Sequence, residues 1–105
     1  MEENKDVAEN KAMAAIGYLG ILFLIPLLAK KDSPYAQFHA KQGMVLFIFE
    51  IICGVVYVVP VVGWVLGSIG YLLGFILFIM GLINALGGKT QPLPIIGSYA
   101  EKLKI

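Results

Sequence analysis

Two long stretches of this 105-residue chain are almost free of charged side chains. Residues 12–29 carry none, and residues 42–88 carry only Glu50. A helix needs about 20 apolar residues to cross a hydrocarbon core of about 30 Å. One helix over 42–88 would be about 70 Å long, so this stretch must fold back, and Pro60 to Gly63 form the natural turn. The pattern predicts an all-α integral membrane protein with three transmembrane helices, at about 12–29, 43–59 and 64–86.

Helix signals refine the start of the second helix. Ser33 and Pro34 are typical of an N-cap and a first helical residue, so helix 2 begins at Pro34. Counted from Pro34, the helix is longer than the hydrocarbon core is thick. We therefore expect its first two turns, 34–41, to lie at the membrane interface as an interfacial start to helix 2.

The remaining segments complete the predicted domain organisation. Residues 1–10 are polar and form an acidic tail that we expect to be disordered, and residues 11–88 form the transmembrane domain. Residues 89–105 form an interfacial C-terminal tail. In this tail Ser98 and Glu101 have the spacing of a capping box, which predicts a short amphipathic helix from Tyr99 to Lys104 on the membrane surface.

Lysine placement predicts the orientation in the membrane. With three spans, the 30–42 loop and the C-terminal tail share one side, and most of the lysines lie there. The positive-inside rule then puts the loop and the C-terminus in the cytoplasm and the N-terminus outside, in a multi-pass protein of the plasma membrane. The lysines on the predicted cytoplasmic side are Lys30, Lys31, Lys41, Lys89, Lys102 and Lys104, against Lys5 and Lys11 outside.

The composition narrows the class of protein further. Hydrophobic residues make up 59% of the chain and charged residues 14%, against about 25% charged residues in soluble domains. The lipid bilayer is therefore the predicted environment. A net charge of +1 with no basic patch argues against nucleic acid as a partner. The single cysteine, Cys53, excludes a disulfide framework within the chain and is expected to pack in an apolar environment.

Small residues recur along one face of helix 3 at spacings of three, four and seven residues. Membrane helices associate through such faces because small side chains allow the backbones to approach closely. Either helices 1 and 2 of the same chain fill this helix-packing face, or part of it binds a second copy or a partner protein. Its members are Gly63, Gly67, Gly70, Gly74, Gly81 and Ala85.

Glu50 lies about 12 Å inside the predicted membrane domain. A charged side chain at that depth costs about 2.5 to 3.5 kcal/mol on insertion scales, so we expect Glu50 to face protein or water. Folding helix 3 back about the turn at 61–62 sets residue 50 opposite residue 73. Glu50 is then either protonated and hydrogen-bonded to Tyr71, Tyr18 or a backbone carbonyl, or it handles an ion, a proton or a substrate.

Polar side chains are expected to form a collar at the membrane surface above Glu50. The collar consists of His39, Lys41, Gln42 and Asn84. His39 precedes Glu50 by three helical turns on one face, and the antiparallel register brings it near Asn84. The collar is either a proton-accessible vestibule, since histidine titrates near physiological pH, or ordinary interfacial capping in which Lys41 reaches lipid phosphates.

No combination of side chains supports catalysis. His39 and Glu50 are the one histidine–carboxylate pair in the predicted membrane domain, and about 16 Å of helix separates them. The sequence has no glycine-rich phosphate loop, no metal-ligand spacing and no serine–histidine arrangement. We therefore predict that the chain is not an enzyme and has no cofactor.

Two segments resemble a known family. The segment from Lys30 to Gln42, KKDSPYAQFHAKQ, and the ending from Gly81 to Gly97 resemble a family of small prokaryotic membrane proteins of unknown function. That family is grouped with the Tic-twenty component of the chloroplast inner-envelope import machinery. The resemblance covers nearly the whole chain from Ala12 onward and implies a link to protein translocation. The chloroplast component is four-spanning, and the shared segment transfers no binding or catalytic residue.

These observations predict a function in a membrane complex. The chain is expected to be an accessory or scaffold subunit, linked to protein translocation, that binds another membrane protein or itself as a homo-oligomer. The alternative is a small homo-oligomeric ion or proton channel or transporter that uses Glu50.

Overall fold

The computed structural model describes residues 2–102, and every regular element within that range is helical. The chain forms α1 (Glu2–Ile16), a 3₁₀ helix (Gly20–Phe23), α2 (Leu24–Ala29), α3 (Pro34–Val56), α4 (Val62–Leu86) and α5 (Gly97–Glu101). The predicted all-α class is therefore confirmed.

Helices α3 and α4 form a long antiparallel hairpin. Ser33 caps α3 by accepting a hydrogen bond from the amide of Ala36 at 3.0 Å, and Pro34 is the first helical residue, as predicted. In the part of the chain that the structure describes, α3 and α4 are the two helices long and apolar enough to cross a membrane, with mean hydropathies of 1.5 and 2.3. Helix α4 is about 37 Å long, enough to cross a bilayer.

The hairpin turn falls where the sequence predicts it. Val61 has φ 63° and ψ −69°, and the amide of Val62 donates to the carbonyl of Pro60 at 2.8 Å. This is a γ-turn of the rarer, strained form, because a β-branched residue with positive φ crowds its own backbone.

The predicted first span over residues 12–29 is not a continuous helix. Helix α1 ends at Ile16, and Gly20 has φ +60°, a conformation that a right-handed helix cannot contain. Beyond this break the chain reverses along α3. Phe23 packs on Phe47, and the side-chain amide of Gln37 donates to the carbonyls of α2 and the residue after it. The segment therefore runs down beside α3 and turns back, and residues 12–29 do not form the single long helix that a first span was predicted to be.

This reversal corrects the predicted orientation. The carboxylate of Asp6 contacts Ser33 and Tyr35, and Val7 lies beside Gly88. The N-terminal helix, the 30–33 turn and the end of α4 thus share one end of the hairpin, the proximal end, and the turn at 57–61 forms the distal end. The predicted placement of the N-terminus opposite the 30–42 loop is not supported, because residues 17–29 turn back and leave the N-terminal helix beside the 30–33 turn.

Both terminal segments make contacts with the hairpin. Residues 2–10, predicted as an acidic tail, belong to α1, and Asp6 and Asn10 hydrogen-bond within the proximal end. Residues 93, 96 and 100 of the C-terminal tail are buried against α3. Helix α5 starts at Gly97 with Ile96 as its N-cap, so Ser98 lies inside the helix and not at the N-cap position that the predicted capping box requires. Leu103 and Lys104 of the predicted helix lie outside the described residues.

The core lies in the proximal half of the molecule. The distal half of the hairpin exposes large apolar side chains along both helices, which is the pattern expected of a surface in contact with lipid. The core side chains come from α1, α3, α4 and the C-terminal tail, and comprise Ala14, Tyr18, Tyr35, Leu46, Leu77, Ala85, Leu93 and Ile96.

Candidate functional site

His39 is fully buried and joins the N-terminal and C-terminal parts of the chain. Its Nδ1 lies 2.5 Å from the hydroxyl of Tyr18, and its Nε2 lies 2.8 Å from the carbonyl of Lys89. A carbonyl only accepts, so Nε2 carries the hydrogen and Nδ1 accepts from the tyrosine hydroxyl. Of the two neutral tautomers the geometry selects the one that is protonated at Nε2, and both ring nitrogens are engaged within the protein.

Gln42 is also fully buried and holds the C-terminal tail. Its Oε1 accepts from the amide of Leu93 at 2.9 Å, and its Nε2 donates to the carbonyl of Gly97 at 3.0 Å. A Cβ at position 97 would overlap Oε1, so glycine lets the tail approach this closely. We call Tyr18, His39 and Gln42, with the backbone of 89, 93 and 97, the clasp.

The clasp forms because the N-terminal segment approaches α3 closely. A Cβ on Gly43 would overlap the carbonyl oxygen of Gly17, and a Cβ on Gly81 would overlap the ring of Tyr18. The ring of Tyr18 therefore fills the gap between α3 and α4 and reaches His39. The rings of Tyr35 and Phe38 pack edge-to-face on the imidazole of His39. Their centroids lie 4.8 and 5.0 Å from the imidazole centroid.

Asp6 is a partly buried, hydrogen-bonded carboxylate that the sequence analysis did not select as a candidate site residue. Its Oδ1 accepts from the hydroxyl of Ser33 at 2.5 Å and from Nδ2 of Asn10 at 2.8 Å, and its Oδ2 accepts from the amide of Tyr35 at 3.0 Å. Burial acts to raise the pKa of this carboxyl, but the three hydrogen bonds together outweigh it and lower the pKa. Besides Ser33, Asp6 therefore also caps the start of α3. The contact joins residues far apart in the sequence, so local spacing cannot show it.

The other predicted collar residues do not gather at one surface. Asn84 contributes its backbone carbonyl, which accepts from the hydroxyl of Tyr35 and from the amide of Lys89. Lys41 is half-buried and lines a small cleft together with Gln37 and Ala100. Of the predicted collar residues, His39 and Gln42 are buried, whereas Lys41 lines the cleft and Asn84 contributes its backbone carbonyl.

The small-residue stripe is filled from within the chain. Gly67 faces the ring of Tyr57, and Gly70 faces the sulfur of Cys53. Gly74 faces Phe49, and the hydroxyl of Tyr35 donates to the carbonyl of Ala85. In the described contacts, α3 and the N-terminal segment of the same chain pack on this small-residue face of α4. These contacts agree with the first alternative, packing within one chain.

Glu50 lies where the predicted register puts it. A Cβ on Gly74 would be 3.8 Å from Cγ of Glu50, so residue 50 faces residue 74 rather than 73. The side chain is half-buried. The hydroxyl of Tyr18 is engaged by His39, and the hydroxyl of Tyr71 lies 3.1 Å from the Cβ position of Gly54, one turn after Glu50.

An open cleft of about 910 Å³ lies at the proximal end between α1, the 30–33 turn and the end of α4. Lys5, Glu9, Lys30 and Asp32 give it a mixed charge. Among the side chains that the structure describes, which exclude residues 2–4 and 101, no three histidine, cysteine or carboxylate groups are close enough to hold a metal ion together. The cleft therefore offers polar and charged contacts from both acidic and basic side chains.

Comparison with known proteins identifies the family to which this architecture belongs. The model of the MamF and MmsF family, described as the magnetosome magnetite crystal formation protein family, matches residues 9–99. The chain belongs to this family. The matched residues include every residue of the clasp.

Individual relatives agree with the family match. The chain is 38% identical over 88 residues to the magnetosome protein MamF of Paramagnetospirillum magneticum, covering 83% of this chain and 78% of MamF. It is 39% identical over 61 residues to the magnetosome protein MmsF of the same organism, covering 57% of each. It is 32% identical over 80 residues to a UPF0132 membrane protein of Methanocaldococcus jannaschii, covering 75% of this chain and 57% of that protein. No solved structure matches the chain significantly.

The family overturns the predicted resemblance and the function drawn from it. The segment from Lys30 to Gln42 lies inside the match to the MamF and MmsF family, so its likeness to the Tic-twenty group was misassigned. The predicted role in protein translocation is wrong, and the channel or transporter alternative has no support among these relatives. A membrane location stands, because a relative is named a membrane protein and two helices are apolar enough to cross.

Proposed function

We propose that this protein acts from within a membrane in the formation of magnetite crystals, in a structural rather than an enzymatic role. The observation that carries the proposal is the family match over residues 9–99, which covers the hairpin, the re-entrant segment and the clasp. MamF and MmsF are magnetosome proteins, and the similarity to MamF spans 83% of this chain.

The proposed membrane arrangement has two crossings and one re-entrant segment. Helices α3 and α4 cross the bilayer, and residues 17–29 enter from the proximal side and return to it. Large apolar side chains such as Ile21 and Leu28 are exposed on that segment, which suits contact with lipid. The described lysines all belong to the proximal end, so the positive-inside rule supports a cytoplasmic position for that end.

This arrangement restricts how the protein can act on a crystal. Exposed carboxylates that could contact metal ions, such as Glu9 and Asp32, lie at the proximal end. The distal turn from Tyr57 to Gly63 carries no charged side chain. We therefore propose that the protein supports crystal formation by organising the membrane or neighbouring membrane proteins, and not by presenting a charged surface at its distal end.

Genetic complementation tests the proposal. The full chain would be expressed in a magnetosome-forming bacterium from which its own MamF and MmsF have been deleted. Crystal number and long-axis length would be measured by electron microscopy, beside a lipid-face variant, Ile76→Leu, as a matched control. We expect both chains to shift the crystal population toward the parental one. If the chain is present in the membrane fraction and crystal dimensions stay those of the deletion strain, the proposed function is wrong.

A further inference from the structure

The cleft at the proximal end contains a buried polar atom that the described residues do not satisfy. Asn10 lines this cleft and is only 7% exposed. Its Nδ2 donates to the backbone carbonyl of Asp6 at 3.1 Å and to the carboxylate Oδ1 of Asp6 at 2.8 Å. Its own Oδ1 is buried and has no hydrogen-bond partner in the described part of the chain. A buried acceptor that lacks a donor is costly, so this atom indicates that a bound group supplies one.

The orientation of the Asn10 amide follows from its partners. The backbone carbonyl of Asp6 only accepts, and so does its carboxylate when ionised. A flipped amide would set oxygen against oxygen, so the nitrogen faces Asp6 and the oxygen is the unpaired atom. Asn10 also interrupts the regular geometry of α1, with φ −120° and ψ 15°. The missing group is therefore a hydrogen-bond donor.

The cleft presents both signs of charge around this atom. Lys5 and Lys30 line it, together with Glu9 and Asp32. The carboxylate of Asp6 lines it too, but the hydrogen bonds described above already occupy both of its oxygens. Two cationic and two anionic side chains therefore remain for a ligand. Such a set complements a zwitterion that carries a phosphate and an ammonium group.

The position of the cleft indicates where such a zwitterion comes from. Its lining includes Pro34, the first residue of α3, and Gly88, two residues after the end of α4. In the proposed membrane arrangement both crossings end here, so the cleft lies at the level of the phospholipid headgroups. Its volume of about 910 Å³ is within the range of about 300 to 1,000 Å³ typical of small-molecule pockets. Val7 and Phe38 add apolar lining for the glycerol part of a lipid.

We propose that this cleft binds the headgroup of a phospholipid with a primary ammonium group, of the phosphatidylethanolamine type. The phosphate pairs with Lys5 and Lys30, and the ammonium group lies among Glu9, Asp32 and Asn10. An N–H of the ammonium group supplies the donor that Oδ1 of Asn10 lacks. A choline headgroup carries the same charges but has no N–H, so it leaves this acceptor unpaired. The proposed site rests on the two-crossing arrangement and not on the role in crystal formation.

Competition between lipids tests this site. The full chain would be purified in dodecyl maltoside and mixed with equal amounts of phosphatidylethanolamine and phosphatidylcholine with the same acyl chains. Native mass spectrometry counts the lipids that stay bound. We expect phosphatidylethanolamine to be retained at least about tenfold over phosphatidylcholine, because only the former donates hydrogen bonds from a charged group. The N-methyl and N,N-dimethyl analogues keep fewer N–H groups and should fall between the two.

Two substitutions outside the core locate the bound lipid. Asp32→Asn removes a partner of the ammonium group and should lower the preference for phosphatidylethanolamine by about two- to fivefold. Lys30→Gln removes a partner of the phosphate and should weaken the retention of both lipids. Lys31→Gln is the matched control, since Lys31 is exposed and does not line the cleft.

Four outcomes would overturn the proposed site. Equal retention of the two lipids would mean that a water molecule satisfies Asn10. Preferential retention of phosphatidylglycerol would mean that the lysines attract anionic lipid without a role for the ammonium group. Displacement of the lipid by an equal concentration of soluble glycerophosphoethanolamine would contradict a bilayer source. Unchanged binding in both Asp32→Asn and Lys30→Gln would put the lipid elsewhere on the protein. Crystal formation enters none of these measurements, so a failure here is distinct from a failure of the proposed function.

Discussion

The hydroxyl of Tyr18 donates to Nδ1 of His39 across 2.5 Å in the interior of the proximal half. This bond ties the re-entrant segment to α3, and the opposite nitrogen of the same imidazole ties α3 to the carbonyl of Lys89. One buried ring therefore connects three parts of the chain that are far apart in sequence.

Removing this hydroxyl should destabilise the fold. Tyr18→Phe leaves Nδ1 of His39 buried without its donor, so we expect the free energy of unfolding to fall by about 1 to 3 kcal/mol. Unfolding in mixed micelles, followed by circular dichroism, measures the change. Tyr99→Phe, on an exposed side chain, should change stability by less than about 0.5 kcal/mol. Equal effects of the two substitutions would contradict the role given to Tyr18.

Replacing Gln42 should release the C-terminal tail. Gln42→Leu leaves the amide of Leu93 and the carbonyl of Gly97 without their partners in a buried site. We expect the tail to open at least about tenfold more often, which limited proteolysis after residue 88 would report. Gln91→Leu, at an exposed glutamine in the same tail, is the matched control. Unchanged cleavage rates in Gln42→Leu would show that other contacts hold the tail.

The re-entrant arrangement predicts which positions share a side of the membrane. In a Cys53→Ala background, Ala8→Cys and Asp32→Cys should react with a membrane-impermeant maleimide from the same side. Val59→Cys, at the distal turn, should react from the other side. Labelling of position 8 together with position 59 would restore the three-crossing arrangement and refute the re-entrant one.

Acid should weaken the attachment of α1 through Asp6. An unfolded aspartate titrates near pH 4, and the folded pKa of Asp6 lies lower. Its contribution to stability is therefore complete above about pH 4 and is lost as the pH falls through the folded value. We expect the free energy of unfolding to fall as the pH drops below about 4, and less steeply in Asp6→Asn. Parallel pH profiles of the two proteins would show that Asp6 is not linked to folding.

The γ-turn predicts a stabilising substitution. Val61 has a positive φ that glycine adopts without steric cost, so Val61→Gly should raise the free energy of unfolding by about 1 kcal/mol. Val59→Gly, at a neighbouring turn residue with negative φ, should instead leave stability unchanged or lower it. Micelle unfolding compares the two variants, and a loss of stability in Val61→Gly would argue against strain at the turn.

The sequence by itself determined the hairpin. A nearly uncharged run too long for one crossing and a proline–glycine turn in its middle are local features, and they located α3, α4 and the level of Glu50. Ser33 and Pro34 likewise marked the start of α3, because capping depends on residues a few positions apart.

Only the tertiary structure decided the course of the N-terminal segment and the clasp. An apolar run of 18 residues satisfies the rule for a membrane span whether or not it crosses, and the reversal depends on Gly17 meeting Gly43 and Tyr18 meeting Gly81 across the fold. Asp6 and Gln42 look like exposed polar residues along the chain. Their partners lie 27 to 55 positions away. Hydrophobic periodicity indicates which face of a single helix is buried. The pairing of buried polar groups depends instead on which distant segments of the chain the packed helices bring together.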